Sequence, residues 1–106
     1  MPDITITVNS SGDFTYSYAL LHVGAGEIIT WKAGTQTGAF AIKFRPDTPL
    51  TAGGVLLESG GAGNTIVGTV KNGLQTGAVY YYSVTATHLP DGTQYMDGGC
   101  PELIIR

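Results

Sequence analysis

The chain has 106 residues, of which 42% are hydrophobic and only 12% charged, with a formal net charge of −3. That length suits a single domain, residues 1–106, around one buried core. The five basic residues (Lys32, Lys43, Arg45, Lys71 and Arg106) are scattered, so no footprint for nucleic acid is expected, and no apolar run reaches the roughly 18 residues of a membrane helix.

With so little charge, the polar surface must come from Thr, Ser, Gly, Asn and Gln, and the 16 glycines suit short strands joined by tight turns. Met1-Pro2-Asp3 lacks the charged start and apolar stretch of a secretion signal, which sets the expectation of an intracellular chain or a trimmed mature form. Cys100, the single cysteine, has no internal disulfide partner and leans that expectation towards the cytoplasm.

Asp3 to Val8 alternates Ile4, Ile6 and Val8 with Thr5 and Thr7, the pattern of a half-buried strand. Asn9 to Asp13 supplies a turn; its Asn9-Ser10-Ser11 also fits a glycosylation acceptor, a role that would need a secreted chain. Phe14 to Val23 reads as a second strand, yet neither parity marks a core face: Tyr16, Tyr18, Leu20 and His22 are mixed, and so are Ser17, Ala19, Leu21 and Val23. Gly24-Ala25-Gly26 turns the chain into Glu27 to Lys32, a strong β run. Gly34 to Gly38 is expected to be a loop, and Phe40, Ile42 and Phe44 then form the clearest core face of the first half.

Pro46 and Pro49 end that strand, because proline cannot donate into a ladder. Thr48 to Gly63 is expected to meander, with at most a short edge strand at Val55-Leu56-Leu57. Thr65 to Val70 is another strand, and Lys71-Asn72-Gly73 is a turn. Val79 to Thr87 is a long β-former run in which Tyr80, Tyr82 and Val84 share the core face and Tyr81, Ser83 and Thr85 the polar one. A polar loop from Leu89 to Pro101 and a closing strand, Leu103 to Arg106, complete the chain. Sustained helical periodicity is absent, and so are repeats and linkers.

Eight such strands imply an all-β, antiparallel Greek-key β-sandwich. Three segments, Gly26-Glu27-Ile28-Ile29-Thr30-Trp31, Phe40-Ala41-Ile42-Lys43-Phe44 and Tyr80-Tyr81-Tyr82-Ser83-Val84 with the loop and strand that follow, resemble the cupredoxins in their order. The likeness runs from about Val23 to Arg106 and implies a cupredoxin-like sandwich, with an immunoglobulin-like sandwich as runner-up. It does not carry the family's copper chemistry, which needs two imidazoles and a thiolate with a weak axial thioether. At the family's first histidine this chain has Ala39 or Phe40, and at its cysteine Ser83 or Val84. His88 and Met96 correspond by resemblance to the other two ligands, and Cys100 follows both, out of order.

The remaining candidates read as structure. His22, His88 and Cys100 lack the short spacing of a structural zinc motif, and Asp91 is placed to hydrogen-bond His88 within its loop. Asp91-Gly92 and Asp97-Gly98-Gly99 fit turns better than calcium ligands. Gly24-Ala25-Gly26 and Gly60-Gly61-Ala62-Gly63 lack the following helix that would cradle a phosphate. No nucleophile-elbow pattern occurs around Ser83 or Cys100.

The functional expectation is thus a non-catalytic interaction or assembly module without a cofactor, binding a protein partner or a second copy of itself. Tyr81, His88 and Tyr95 are the candidate binding residues, because tyrosine gives large contact area at low entropy cost. A metal-binding cupredoxin relative using His88 and Met96 is the alternative, and a hydrolase using His88 with a nearby acid is the third reading.

Overall fold

The computed structural model describes residues 3–45, 47–60, 65–98 and 101–106. Ten strands run among them: β1 (Asp3–Val8), β2 (Phe14–Tyr16), β3 (Leu20–Val23), β4 (Ile28–Ala33), β5 (Thr37–Arg45), β6 (Leu56–Glu58), β7 (Thr65–Thr69), β8 (Val79–His88), β9 (Thr93–Asp97) and β10 (Glu102–Ile105). They form a four-stranded sheet, β2-β1-β4-β7, and a six-stranded sheet, β3-β10-β8-β5-β6, in which β9 also pairs with β8. The turn expected at residues 61–63, the strand end at Pro46 and the thiol of Cys100 lie outside the described residues.

Alternation builds the core as the sequence implies. Ile4, Ile6 and Val8 of β1, Ile29 and Trp31 of β4, Phe40, Ile42 and Phe44 of β5, and Tyr82, Val84 and Ala86 of β8 all point between the sheets and are buried. At the centre, Trp31 of the smaller sheet meets Phe44 and Tyr82 of the larger one edge-on, with ring centroids 6.2 and 6.0 Å apart. Phe44 and Tyr82 lie 5.3 Å apart and complete the cluster. Thr37, itself buried, ties the sheets together: its hydroxyl accepts from the Val8 N–H (3.0 Å) and donates to the Thr35 carbonyl (3.1 Å).

Three expectations change. The single strand expected from Phe14 to Val23 is two strands in different sheets: β2 pairs with β1, and β3 pairs with β10. Ser17 is the departure point, with its hydroxyl accepting from the Thr5 N–H (2.8 Å), and Ala19 is the arrival point, with its carbonyl accepting from Glu102 N–H (2.8 Å). The crossing inverts parity, so Phe14 and Tyr16 pack inward before it and Leu21 and Val23 after it. Mixed parities were the trace of that switch.

The second change is in the expected loop from Leu89 to Pro101, which is mostly a hairpin: a tight turn at Leu89–Gly92 leads straight into β9, which pairs with β8 from Val84↔Asp97 to His88↔Thr93. Third, the loop expected through Gly38 already belongs to β5, whose pairing with β8 is irregular between Thr37 and Phe40. Most pairs are antiparallel, but each sheet carries one parallel pair, β1–β4 and β3–β10. Both join strands separated by a passage through the opposite sheet, the long connection a parallel pair needs.

Gly68 shows how tightly β7 closes the smaller sheet. A Cβ there would stand 2.5 Å from Cδ1 of Leu50, which is buried and held opposite Val70 by a β-bridge. Gly68→Ala is expected to cost about 1–3 kcal/mol by overpacking, read as a lower urea midpoint. Adding Leu50→Val, which removes the obstructing methyl reach, is expected to return part of that loss; two strictly additive losses would point to a different origin.

Candidate functional site

Strand β5 and the hairpin β8–β9 hold the positions at which a cupredoxin site would be sought. Phe40 and Val84 point inward and are buried, with Val84 opposite Ile42 and Phe40 opposite Ala86. Ala39 and Ser83, the alternatives at those positions, lie on the outward parity of their strands. His88 closes β8 with its ring inward and only 4% exposed. Met96 sits opposite Thr85, on the outward parity of β9, and is 72% exposed.

His88 and Met96 therefore occupy opposite faces of the hairpin, three residue rows apart, or about 10 Å along the strands. They do not converge on one ion. Among the described residues, no three His, Cys, Asp or Glu side chains gather in a metal-holding group. None of Ala39, Phe40, Ser83 and Val84, the residues that correspond by resemblance to the family's first histidine and cysteine, is an imidazole or a thiolate, so the donor set does not fit a blue-copper centre.

The imidazole–carboxylate contact between His88 and Asp91 serves the turn. His88 Nδ1 lies 3.2 Å from Asp91 Oδ1, and the same carboxylate oxygen accepts from the Thr93 N–H at 3.0 Å. The Gly92 N–H donates to the His88 carbonyl (2.8 Å), which completes the reversal. The Thr93 amide is the main reason Asp91 is held below the usual carboxylate range; slight desolvation opposes it, and His88 adds to the lowering.

Because the folded value is depressed, what Asp91 contributes is present above the ordinary range near 3.9 and is lost as pH falls through the lower folded value. The Thr93 amide proton is expected to titrate with a midpoint below about 3.9, and Asp91→Ala is expected to abolish the transition. A midpoint at or above the ordinary value would count against this turn geometry.

Tyr95 faces inward from β9. Its hydroxyl donates to the Ser10 carbonyl at 3.0 Å, and its ring lies where a Cβ on Gly12 would stand, 2.7 Å from Cδ1. Gly12 has a positive φ of 83°, so this contact depends on glycine twice over. Tyr16 of β2 donates its hydroxyl to Asp97 of β9, and together these two tyrosines join β9 to β2 and to the turn before it. Tyr81, by contrast, points outward and is 45% exposed. The three candidate binding residues do not share a face: buried His88 and half-buried Tyr95 brace the hairpin, and Tyr81 is the one that points outward into solvent.

Around Tyr81 the register lays out a surface. Across the strands, Leu20, Glu102, Tyr81 and Arg45 form one row on β3, β10, β8 and β5. His22, Ile104 and Val79 form the row on one side. On the other side come Ser83, Lys43 and Leu56, and then Met96, Thr85, Ala41 and Glu58. Small side chains at Ala39, Ala41, Thr85 and Thr87 floor a depression of about 200 Å³, with Glu58 and Gln94 at its rim. A second depression, about 410 Å³, is lined by Leu20 and Tyr81 with Tyr16, Ala19, Asp97 and Glu102. Met96, Leu20 and Leu56 were not singled out as surface residues in the sequence; only the pairing shows that they surround Tyr81.

Two mixed sheets packed on one core, with the aromatic strand β8 central in the larger sheet, define a cupredoxin-like β-sandwich. Among solved structures, the chain is similar to a purple cupredoxin from Nitrosopumilus maritimus, with a TM-score of 0.54 and 16% identity over 100% of both chains. It is also similar to a reduced Cu(I) form of an amicyanin variant, with a TM-score of 0.49 and 14% identity over 98% of this chain and 82% of that one. At these identities the likeness is one of fold. The sequence matches no protein-family model and no curated protein.

Proposed function

We propose that this chain is a non-catalytic interaction module that binds a protein through the outward face of its larger sheet. One observation carries the reading. Nine large hydrophobic residues remain exposed among the described residues, and five of them, Leu20, Leu56, Val79, Tyr81 and Met96, point outward from this one sheet. On the smaller sheet only Ile28 and Val67 do so, among the threonines Thr5, Thr7, Thr30, Thr65 and Thr69. Apolar side chains gathered on one face and interleaved with charge match the composition of recognition surfaces, where tyrosine and arginine anchor the contact.

The test places a photo-crosslinking phenylalanine at Tyr81 and, as a control, at Val67 on the opposite sheet, in the cells that make the protein. A protein adduct at Tyr81, and none above background at Val67, is the expected result. Equal labelling at the two positions, or none at Tyr81, would remove the reading.

A further inference from the structure

We infer that the partner on this face is a second copy of the chain, related by a two-fold axis running along β8. The inference rests on the interaction reading above and names its occupant. Its basis is a symmetry in the rows already described: on either side of β8, one strand away, stand groups that complement each other.

In the row through Tyr81, Glu102 lies one strand to one side and Arg45 one strand to the other. In the row through Thr85, Met96 lies on the side of Glu102 and Ala41 on the side of Arg45. Each offset is one strand spacing, about 4.8 Å. Acid opposes base and a long side chain opposes a short one, both across the same strand.

A two-fold axis parallel to β8, midway between two sheets about 10 Å apart, leaves β8 over β8 and exchanges the two sides. Glu102 of each copy then faces Arg45 of the other. Met96, the most exposed large hydrophobic among the described residues, enters the depression floored by Ala39, Ala41, Thr85 and Thr87 on the other copy. Tyr81 meets Tyr81 on the axis. Self-complementarity of this kind is required of an isologous interface, whereas a different protein would not need charge and shape mirrored about one strand. The net charge of −3 is small enough that like-charged copies do not strongly repel.

The experiment uses sedimentation equilibrium of the whole chain and of two charge variants, each checked for folding by circular dichroism. The unaltered chain is expected to dimerise reversibly. Glu102→Arg and Arg45→Glu are each expected to weaken the dimer roughly tenfold or more, since each sets like charges face to face.

An equimolar mixture of the two variants is expected to regain the original affinity, because the new cation at 102 then meets the new anion at 45. Met96→Ala is expected to weaken the dimer without affecting folding. A chain that stays monomeric up to roughly 1 mM overturns the inference. So does a dimer that the mixed variants fail to restore. Adducts at Tyr81 to a different protein, from a monomeric chain, would overturn the second copy while upholding the interaction face; no adduct at all would remove both.

Discussion

Trp31→Ala is expected to unfold this protein more than any other single truncation. Trp31 is fully buried and is the only aromatic side chain that the smaller sheet sends into the central cluster, where it meets Phe44 and Tyr82 of the larger sheet. Removing it deletes both edge-on contacts and leaves a hollow that neither sheet can close, because each is fixed by its own ladder. Large aromatic truncations in such sites cost roughly 3–5 kcal/mol. Domains of this size hold about 5–15 kcal/mol in all, so the variant loses a large share of its stability. At about 4–8 °C per kcal/mol the melting temperature is expected to fall by tens of degrees. Circular dichroism is the appropriate reading, since Trp31 is the sole tryptophan and its fluorescence goes with it. Trp31→Phe keeps most of the ring volume and is expected to lose much less. Equal losses in the two variants would show that volume is not what the site supplies.

The strands that carry this cluster were legible because each shows its inward face within a few consecutive residues. Ile4, Ile6 and Val8, Phe40, Ile42 and Phe44, and Tyr82 with Val84 alternate as a half-buried sheet requires, and the structure buries all of them. The copper ligands are a matter of residue identity alone: neither Ala39 or Phe40 nor Ser83 or Val84 is an imidazole or a thiolate, wherever the fold places them. What escaped the sequence depends on pairing. Ser17 to Ala19 inverts parity while leaving one sheet for the other, which no single alternation can represent. Strand β9 was hidden because Thr93, Gln94, Tyr95, Met96 and Asp97 are polar enough to pass for loop, yet Tyr95 packs inward as a strand residue does.

The surface around Tyr81 was the least legible part. Leu20, Glu102, Tyr81 and Arg45 are far apart in the chain, and they become one row only through three separate pairings. A sequence shows that Tyr81 faces away from the core; it does not show what stands beside it. The same holds for His88 and Met96, which share a stretch of chain but are placed on opposite faces by the hairpin register. The fold retains the aromatic strand and the closing strand of a cupredoxin-like sandwich, and β8 carries Tyr82 into the core on one side and Tyr81 to the surface on the other. The same ten residues thus hold the sandwich together and present its most apolar face.

Tyr82 supplies the last expected result, a loss of stability in alkali that one atom controls. Its ring is fully buried, and its hydroxyl, like the Trp31 indole N–H, has no partner within hydrogen-bond geometry among the described residues. The two face each other closely enough for the indole to favour a phenolate a little, but burial outweighs it and pushes the Tyr82 hydroxyl from 10.0 up to about 12. Between those values the unfolded chain has released the proton and the folded chain still holds it. The stability linked to this group is therefore full below pH 10, falls as pH rises, and has decreased by about 3 kcal/mol once the folded group ionises. Tyr82→Phe removes the titrating group, and its urea midpoint is expected to lack this share of the decline between pH 10 and pH 12. At neutral pH the same variant relieves a buried hydroxyl without a partner, so it is expected to be as stable as the original or about 1 kcal/mol more so. A Tyr82→Phe protein that is clearly less stable at pH 7 would mean that the hydroxyl is satisfied after all. In that case the indole N–H of Trp31 is its partner, and the pair is a hydrogen bond joining the two sheets.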